Sequence, residues 1–422
     1  MTIPVLGEPR FPSPLTRTVA EDFRIPASIV AGRHAHESPE LSFELAGARS
    51  KLYFDPAHTR AGIVTCGGLC PGLNDVIRSL FLELHYGYGV KEVIGFRGGY
   101  NGLDPSPAVD TVALTAALVD TIHHHGGTVL KTSRGPVDIG RAVDTLVQRQ
   151  VNILFTIGGD GTQRGGRALF DEATRRGHPL AVVGIPKTVD NDVAFVTRSF
   201  GYLTAVEEAA KVLDRAHTEA RSVPNGLALV KLMGRHAGFI ALGATVASQD
   251  VNFTLIPEVP FVLDGPRGLL AAIEQRIRHR GHALVVVAEG AGQDLLATDT
   301  NARDASGNIR LKDIGTFLRG RIEAHFAATG VPLVMRYMDP SYLIRSVPAN
   351  AADSVLCDQF ARNAVHAAMA GKTGVVIGLL HDHFVHVPVD LLTSRTKRVD
   401  PAGYAWGAVL SCTGQAERFE QA

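Results

Sequence analysis

The chain predicts an α/β fold: two packed, doubly wound (Rossmann-like) domains with an active-site cleft between them, plus an N-terminal extension. From residue 60 onward, short β-branched runs alternate with segments of helical period, the pattern of parallel strands joined by crossover helices. The 422 residues exceed what one hydrophobic core usually organises. Ligands in such sheets bind beyond the carboxyl ends of strands, and several of the expected strand ends carry glycine clusters.

The first series has expected strands AGIVT (61–65), EVIGF (92–96), TVLKT (128–132), NILFTI (152–157) and LAVVGI (180–185), with helices such as DVIRSLFLELH and DIGRAVDTLVQ between them. A second series follows: helix TAVEEAAKVLDRAH (204–217), strand GLALVKLM, a helix around HAGFIALGATVAS, strand NFTLI, helix GLLAAIEQRIRH and strand ALVVVAEG. No low-complexity linker separates the two. The expected division is an extension over 1–57, one domain over 58–202 completed by a segment near 345–370, a second over 203–344, and C-terminal strands and tail over 371–422. The extension and the last 30 or so residues read as peripheral.

Lys plus Arg and Asp plus Glu both total 42, so nothing global attracts nucleic acid or an anionic membrane. The start MTIPVLGEPRFPSPL lacks a charged head followed by an apolar core, and no run approaches the length of a spanning helix. A cytoplasmic protein acting on small molecules is expected. Four cysteines are few for this length and argue against a disulfide framework. Cys66 and Cys70 have no second ligand pair nearby and read as buried small residues.

Four strand ends carry more than a turn requires. In TCGGLCPGLND, Gly67, Gly68 and Gly72 permit close backbone approach ahead of a helix N-terminus. In TIGGDGTQRGG, Gly158, Gly159 and Gly161 bracket Asp160, and Thr162 opens the next helix. Peptide N–H groups there can cradle phosphate, and a lone carboxylate among glycines can hold Mg²⁺ against it. In IPKTVDNDV, an extended backbone would point Asp190 and Asp192 to one side, one to accept a hydroxyl proton and the other to orient the metal. In KLMGRHAGF, Arg235 stands at a strand-to-helix junction, where its charged fork suits phosphoryl oxygens. Together they describe a phosphoryl-transfer site.

Three further stretches are decoys. AGKTG (370–374) has His366 where a P-loop needs its first glycine. The histidines of HHH (123–125) and HDHFVH (381–386) lack acidic or cysteine partners in a metal-ligand pattern and read as packed or solvated.

From about 60 to 390 the chain resembles the 6-phosphofructokinase family, through GGLCPGLN, GGDGT, PKTVDND, MGRHAGF, VAEG and MDPSYLIRS in the family's order. The wording is most similar to the ATP-dependent branch of plants and trypanosomes. The resemblance implies transfer of the γ-phosphoryl of Mg-ATP to the 1-hydroxyl of fructose 6-phosphate, giving fructose 1,6-bisphosphate. It makes 58–202 the nucleotide-donor domain and 203–344 the sugar-phosphate domain. It implies Asp190 as base, Thr188 beside it at the sugar, Asp160 as the magnesium-linked carboxylate, and Asp192 in the same metal network. Arg235 would stabilise the transferring phosphoryl, Met233 and Gly234 would line the sugar site, and Glu289 would bind sugar hydroxyls. Arg336, Tyr342 and Arg345 keep the spacing of a 6-phosphate grip. Arg134 and Gly135, with Gly68, Gly159, Gly161 and Thr162, fall on the donor side. A homodimer or homotetramer is implied. The sequence departs from many bacterial members at Tyr342, often histidine there, and at Gly226, where a neighbouring subunit's arginine is often found.

Two positions bear on the donor. Pyrophosphate users generally have a second aspartate where Gly161 stands, whereas Lys187 is the residue seen in pyrophosphate users. Gly161 weighs more, because an opening must exist before adenosine can enter, while a lysine pairs with phosphate of either donor. The readings that stay open are a pyrophosphate-dependent kinase, a kinase for another sugar phosphate such as sedoheptulose 7-phosphate, and a non-catalytic nucleotide or sugar-phosphate sensor.

Overall fold

The computed structural model describes residues 3–30, 41–104, 111–296, 303 and 310–421. Residues 1, 2 and 31–40 of the expected N-terminal extension lie outside the described residues. The chain divides into two compact units: Met1–Val189, Val193–Gly201 and Ser346–Arg395 form the first, and Asp190–Asp192, Tyr202–Arg345 and Thr396–Ala422 the second.

The first unit is built on a nine-stranded sheet. Its order is Arg24–Pro26, Ser42–Leu45, His383–Pro388, Val375–Leu380, Ala181–Pro186, Ile153–Gly158, Arg60–Thr65, Glu92–Phe96 and Thr111–Ala113. The central strands are parallel and the outer ones antiparallel. Every residue of Ile153–Gly158 and Ala181–Pro186 is buried, as the near-continuous apolar runs of these strands demand when helices cover both faces. Two of the covering helices are capped by side chains: Asp138 accepts from the Arg141 N–H ahead of Ile139–Gln148, and Asn350 from the Asp353 N–H ahead of Ala351–Met369.

Two segments differ from the sequence-based expectation. TVLKT is not a strand. Lys131 adopts φ 55°, buried Leu130 packs over Gly95, and the Thr65 hydroxyl donates to the Lys131 carbonyl at 2.6 Å, so local polar bonds and one apolar anchor replace a ladder. The stretch 1–57 is not wholly peripheral, since Ser42–Leu45 joins the main sheet. There the buried Glu44 carboxylate meets Arg49 at 2.6 Å, Lys372 at 2.7 Å and His386 at 3.3 Å, which together hold it well below the usual carboxylate range against the opposing effect of burial. Lys372 of AGKTG is thus a buried structural partner, and His386 of HDHFVH is fully buried.

His366 gives this unit a pH-dependent stability. Its Nδ1 shares a hydrogen bond with the Tyr88 hydroxyl at 2.8 Å, and burial, with the Arg362 and Arg49 charges, pushes the imidazole down to about 4. Between the ordinary value of 6.5 and about 4, the unfolded chain binds a proton that the folded chain refuses. Stability therefore falls as pH falls through that window, by at most about 3 kcal/mol, and levels off below it. Urea midpoints from pH 7.5 to 4 should show this slope for the natural protein and a shallower one for His366→Gln.

The second unit has a parallel four-stranded sheet in the order Phe253–Leu255, His282–Ala288, Gly226–Leu232 and Val334–Met338. Its core gathers Leu227 and Val285 from two of these strands with Ile273 from the helix Leu269–Arg280. The helix Ile314–Thr329 adds Ile314, Leu318, Ile322 and Phe326, which recur at helical spacing along its buried face. The last 30 or so residues, expected to be peripheral, also contribute. The helix Tyr404–Thr413 buries Trp406, and Phe419 packs against Phe253. Only scattered apolar residues announce this in the sequence, which is why the tail reads as surface.

Candidate active site

In the first unit, four glycine-bearing or charged stretches are tied to one another by hydrogen bonds. The Gly67 N–H donates to the Ser133 carbonyl at 2.9 Å, and the Thr132 hydroxyl to the Gly67 carbonyl at 2.8 Å. These bonds bring the Gly67–Gly68 turn beside Arg134 and Gly135, the latter at φ 110°. The Lys187 N–H donates to the Gly158 carbonyl at 3.1 Å, and its buried Nζ donates to the Gly68 carbonyl at 2.6 Å. Lys187 thus links the turns after three strands.

Gly159 caps the helix Asp160–Arg175, placing Asp160 in its first turn. A carboxylate there is favoured by the helix dipole, and the first N–H groups of the helix are suited to phosphate. Thr162 is buried, its carbonyl accepting from the Tyr100 hydroxyl at 2.6 Å, while Gly161 is exposed and a Cβ there would meet nothing within 4 Å. Burial pushes the Cys66 thiol up to about 12, so this cysteine is inert as a nucleophile, and Cys70 is likewise buried and unbridged. The Thr188 carbonyl accepts from the Ser199 hydroxyl at 2.7 Å, which fixes the chain just after Lys187.

The second unit brings Asp190, Asp192, Arg235 and Glu289 together. The strands Gly226–Leu232 and His282–Ala288 run parallel with Leu232 opposite Ala288, so the turns after both emerge side by side. The Glu289 N–H donates to the Leu232 carbonyl at 2.9 Å, and the Gly290 N–H to the Gly234 carbonyl at 3.0 Å. Gly234 sits at φ 129°, and a Cβ on Gly290 would lie 2.0 Å from the Arg235 carbonyl oxygen. Two glycines therefore let the Arg235 and Glu289 turns lie in contact. Met233, between them and the strand, is buried.

Asp190 and Asp192 do not alternate along an extended strand, contrary to expectation. The strand ends at Pro186, and Asn191 adopts φ 55°, turning the chain between the two carboxylates. They nonetheless remain close enough to interact. Burial, then the Asp192 and Glu289 charges, pushes Asp190 well above the usual carboxylate range, opposed by the Arg235 backbone N–H and guanidinium. Burial also raises Glu289, opposed by Arg235, Lys231 and Arg345.

Arg345 stacks on the Tyr342 ring at 4.8 Å, and Tyr342 is three-quarters exposed. Arg336 is exposed and turned toward Glu219, at 3.8 Å. Gly226 has its own structural reason, since a Cβ there would lie 2.0 Å from the Ala220 carbonyl oxygen.

Sequence reading passed over Lys231, Glu258 and Lys397. Lys231 holds Asp313 at 3.0 Å and Asp339 at 2.9 Å and helps set the field at Glu289. Its only sequence signal is a lone lysine near the end of an apolar strand. Glu258 and Lys397 carry no motif at all.

Among the described residues, no three His, Cys, Asp or Glu side chains gather as a metal cage. Mg²⁺ is usually held by one or two carboxylates plus waters and substrate phosphates, so single carboxylates such as Asp160 and Asp192 fit it better than they would fit a metal needing a full protein cage. No helix among the described residues is long and apolar enough to cross a membrane.

Comparison with known proteins agrees with this geometry. The phosphofructokinase family model matches residues 60–368. An ATP-dependent 6-phosphofructokinase from Amycolatopsis methanolica is 47% identical, covering 99% of this chain and 95% of that protein. ATP-dependent 6-phosphofructokinase 1 from Arabidopsis thaliana is 44% identical, covering 98% and 89%. A crystal structure of a pyrophosphate-dependent phosphofructokinase from Marinobacter aquaeolei shares the fold with a TM-score of 0.69 at 20% identity, over 86% of this chain and 93% of that one. With the family model covering most of its length and relatives this similar from end to end, the chain belongs to the phosphofructokinase family.

Proposed function

We propose that the protein is an ATP-dependent 6-phosphofructokinase that transfers the γ-phosphoryl of ATP to the 1-hydroxyl of fructose 6-phosphate. The observation that carries the reading is the cluster in the second unit: the Asp190 carboxyl, which accepts from the Arg235 backbone N–H, beside the Arg235 guanidinium and the Glu289 carboxylate. A carboxylate positioned at the reacting hydroxyl takes its proton in the transition state. Asp190 accepts the proton of the sugar 1-hydroxyl as its oxygen attacks the γ-phosphorus, and ADP leaves. Arg235 neutralises charge on the transferring group, while Glu289, Met233 and Gly234 orient the sugar. Thr188 assists beside the base, and Arg345 with Tyr342 and Arg336 receives the 6-phosphate.

On the donor side, Gly68, Arg134, Gly135, Gly159, Gly161 and Thr162 hold the nucleotide phosphates. Asp160 and Asp192 would hold Mg²⁺, which when bound neutralises phosphate charge. Phosphoryl transfer asks little covalent chemistry of the protein, so these roles are positioning and charge neutralisation. The relatives' ATP dependence and the open space at Gly161 both favour ATP over pyrophosphate. A homodimer or homotetramer is the assembly expected of the family.

The test is an initial-rate comparison of Mg-ATP and pyrophosphate as donors to fructose 6-phosphate. Turnover with ATP exceeding that with pyrophosphate is expected. Robust turnover with pyrophosphate and none with ATP would overturn the donor assignment, and turnover with neither would overturn the enzyme reading.

A further inference from the structure

The tail segment just after residue 396 makes contacts that the proposed chemistry does not use. The Lys397 N–H donates to the Asp192 carbonyl at 2.8 Å, and Lys397 Nζ donates to the Asn191 side-chain oxygen at 3.0 Å. Both bonds fall on the turn that separates Asp190 from Asp192. Asn191 is held there at φ 55°, a conformation few residues adopt and one that surrounding contacts must maintain. The same ammonium lies 5.1 Å from the ring centre of Phe239, the first residue of the helix that follows the Arg235 turn.

Two residues on, the Val399 N–H donates to Glu258 Oε1 at 2.8 Å. That carboxylate also accepts from the Gly238 N–H, at 3.0 and 3.1 Å to its two oxygens. Gly238 closes the turn that begins at Arg235, and a Cβ there would lie 2.3 Å from Ile256, so only glycine lets the turn approach Glu258. Within the second unit, then, three consecutive tail residues are bonded at one end to the Asp190–Asp192 turn and at the other, through Glu258, to the turn carrying Arg235.

We propose that Lys397–Val399 is a positioning strap that sets Asp190 and Arg235 in register with each other. Lys397 is a positioning residue that acts through the Asn191 turn, and Glu258 is its counterpart on the Arg235 side. The strap rests on the reading of Asp190 as the base. A small misplacement of a base relative to the group that stabilises the transferring charge lowers turnover while leaving the binding groups in place.

The experiment compares Lys397→Met, Lys397→Arg, Glu258→Leu and the double variant Lys397→Met/Asp190→Ser as full-length proteins, with thermal melts and steady-state kinetics for both substrates. Lys397→Met is expected to lose about tenfold or more in kcat with KM values within about threefold. Lys397→Arg, which can still donate to Asn191, should recover most of that loss. Adding Lys397→Met to Asp190→Ser should cost little further, because the lysine acts through the base. A kcat within twofold of the natural protein, a loss confined to KM, or full additivity with Asp190→Ser would each overturn the strap. If Lys397→Met does not fold, Glu258→Leu, which cannot accept from Gly238 or Val399, decides: a kcat loss at preserved KM supports the strap, and an unchanged kcat overturns it. A natural protein without kinase activity overturns the functional reading itself, a result separable from any of these.

Discussion

Replacing Asp190 with serine should lower kcat by about a hundredfold or more, the contribution usual for a general base, while KM for fructose 6-phosphate and ATP changes little. A hundredfold corresponds to about 2.7 kcal/mol of transition-state stabilisation. The prediction is specific because Asp190 shares its surroundings with Asp192 and Glu289, two other carboxylates that proximity alone would make equivalent to it. Asp190 is the one that accepts from the Arg235 backbone N–H, and burial with the neighbouring carboxylates holds its carboxyl above the usual range. Glu289→Gln, by contrast, should act mainly on KM for the sugar, since its role is to bind hydroxyls. Steady-state kinetics on both variants, with melts to confirm folding, separates the roles. An Asp190→Ser enzyme with unchanged kcat would remove the base from the mechanism.

The parts of this site that are legible in the sequence are those where one residue type answers one local need. Gly234 and Gly159 mark turns at strand ends, and Asp160 in a glycine run at a helix start is unusual enough to be noticed. The parallel strands Ile153–Gly158 and Ala181–Pro186 are equally plain, because burial on both faces leaves a near-continuous apolar run. What sequence does not supply is pairing over distance. Leu130 looks like one more strand residue until its packing over Gly95 is seen, and the conformation of Asn191 breaks the alternation expected to align the two aspartates. Lys397 lies 206 positions from the asparagine it holds and belongs to no pattern. Lys187 shows the same limit in milder form: its identity suggests a phosphate ligand, whereas its Nζ is bonded to the Gly68 carbonyl, so part of its work is to shape the donor turn.

Gly161→Asp should separate donor choice from folding. A Cβ at this exposed position meets nothing within 4 Å, and an added carboxylate in the first turn of Asp160–Arg175 is favoured by the helix dipole, so the melting temperature should hold or rise slightly. The cost falls on the ligand. Two unit charges 4 Å apart repel by about 4 kcal/mol at an effective dielectric of 20, and even half of that is about a thirtyfold change. A second aspartate beside Asp160 should therefore lower kcat/KM for ATP by at least about thirtyfold. Pyrophosphate has no α-phosphate or nucleoside to place against the new side chain, so its rate should fall less, and the ratio of the two donors should move toward pyrophosphate. A variant that melts like the natural protein yet uses both donors in the natural ratio would show that the space at Gly161 does not set donor choice, and would leave Lys187 and the Gly68 turn as the groups to alter next.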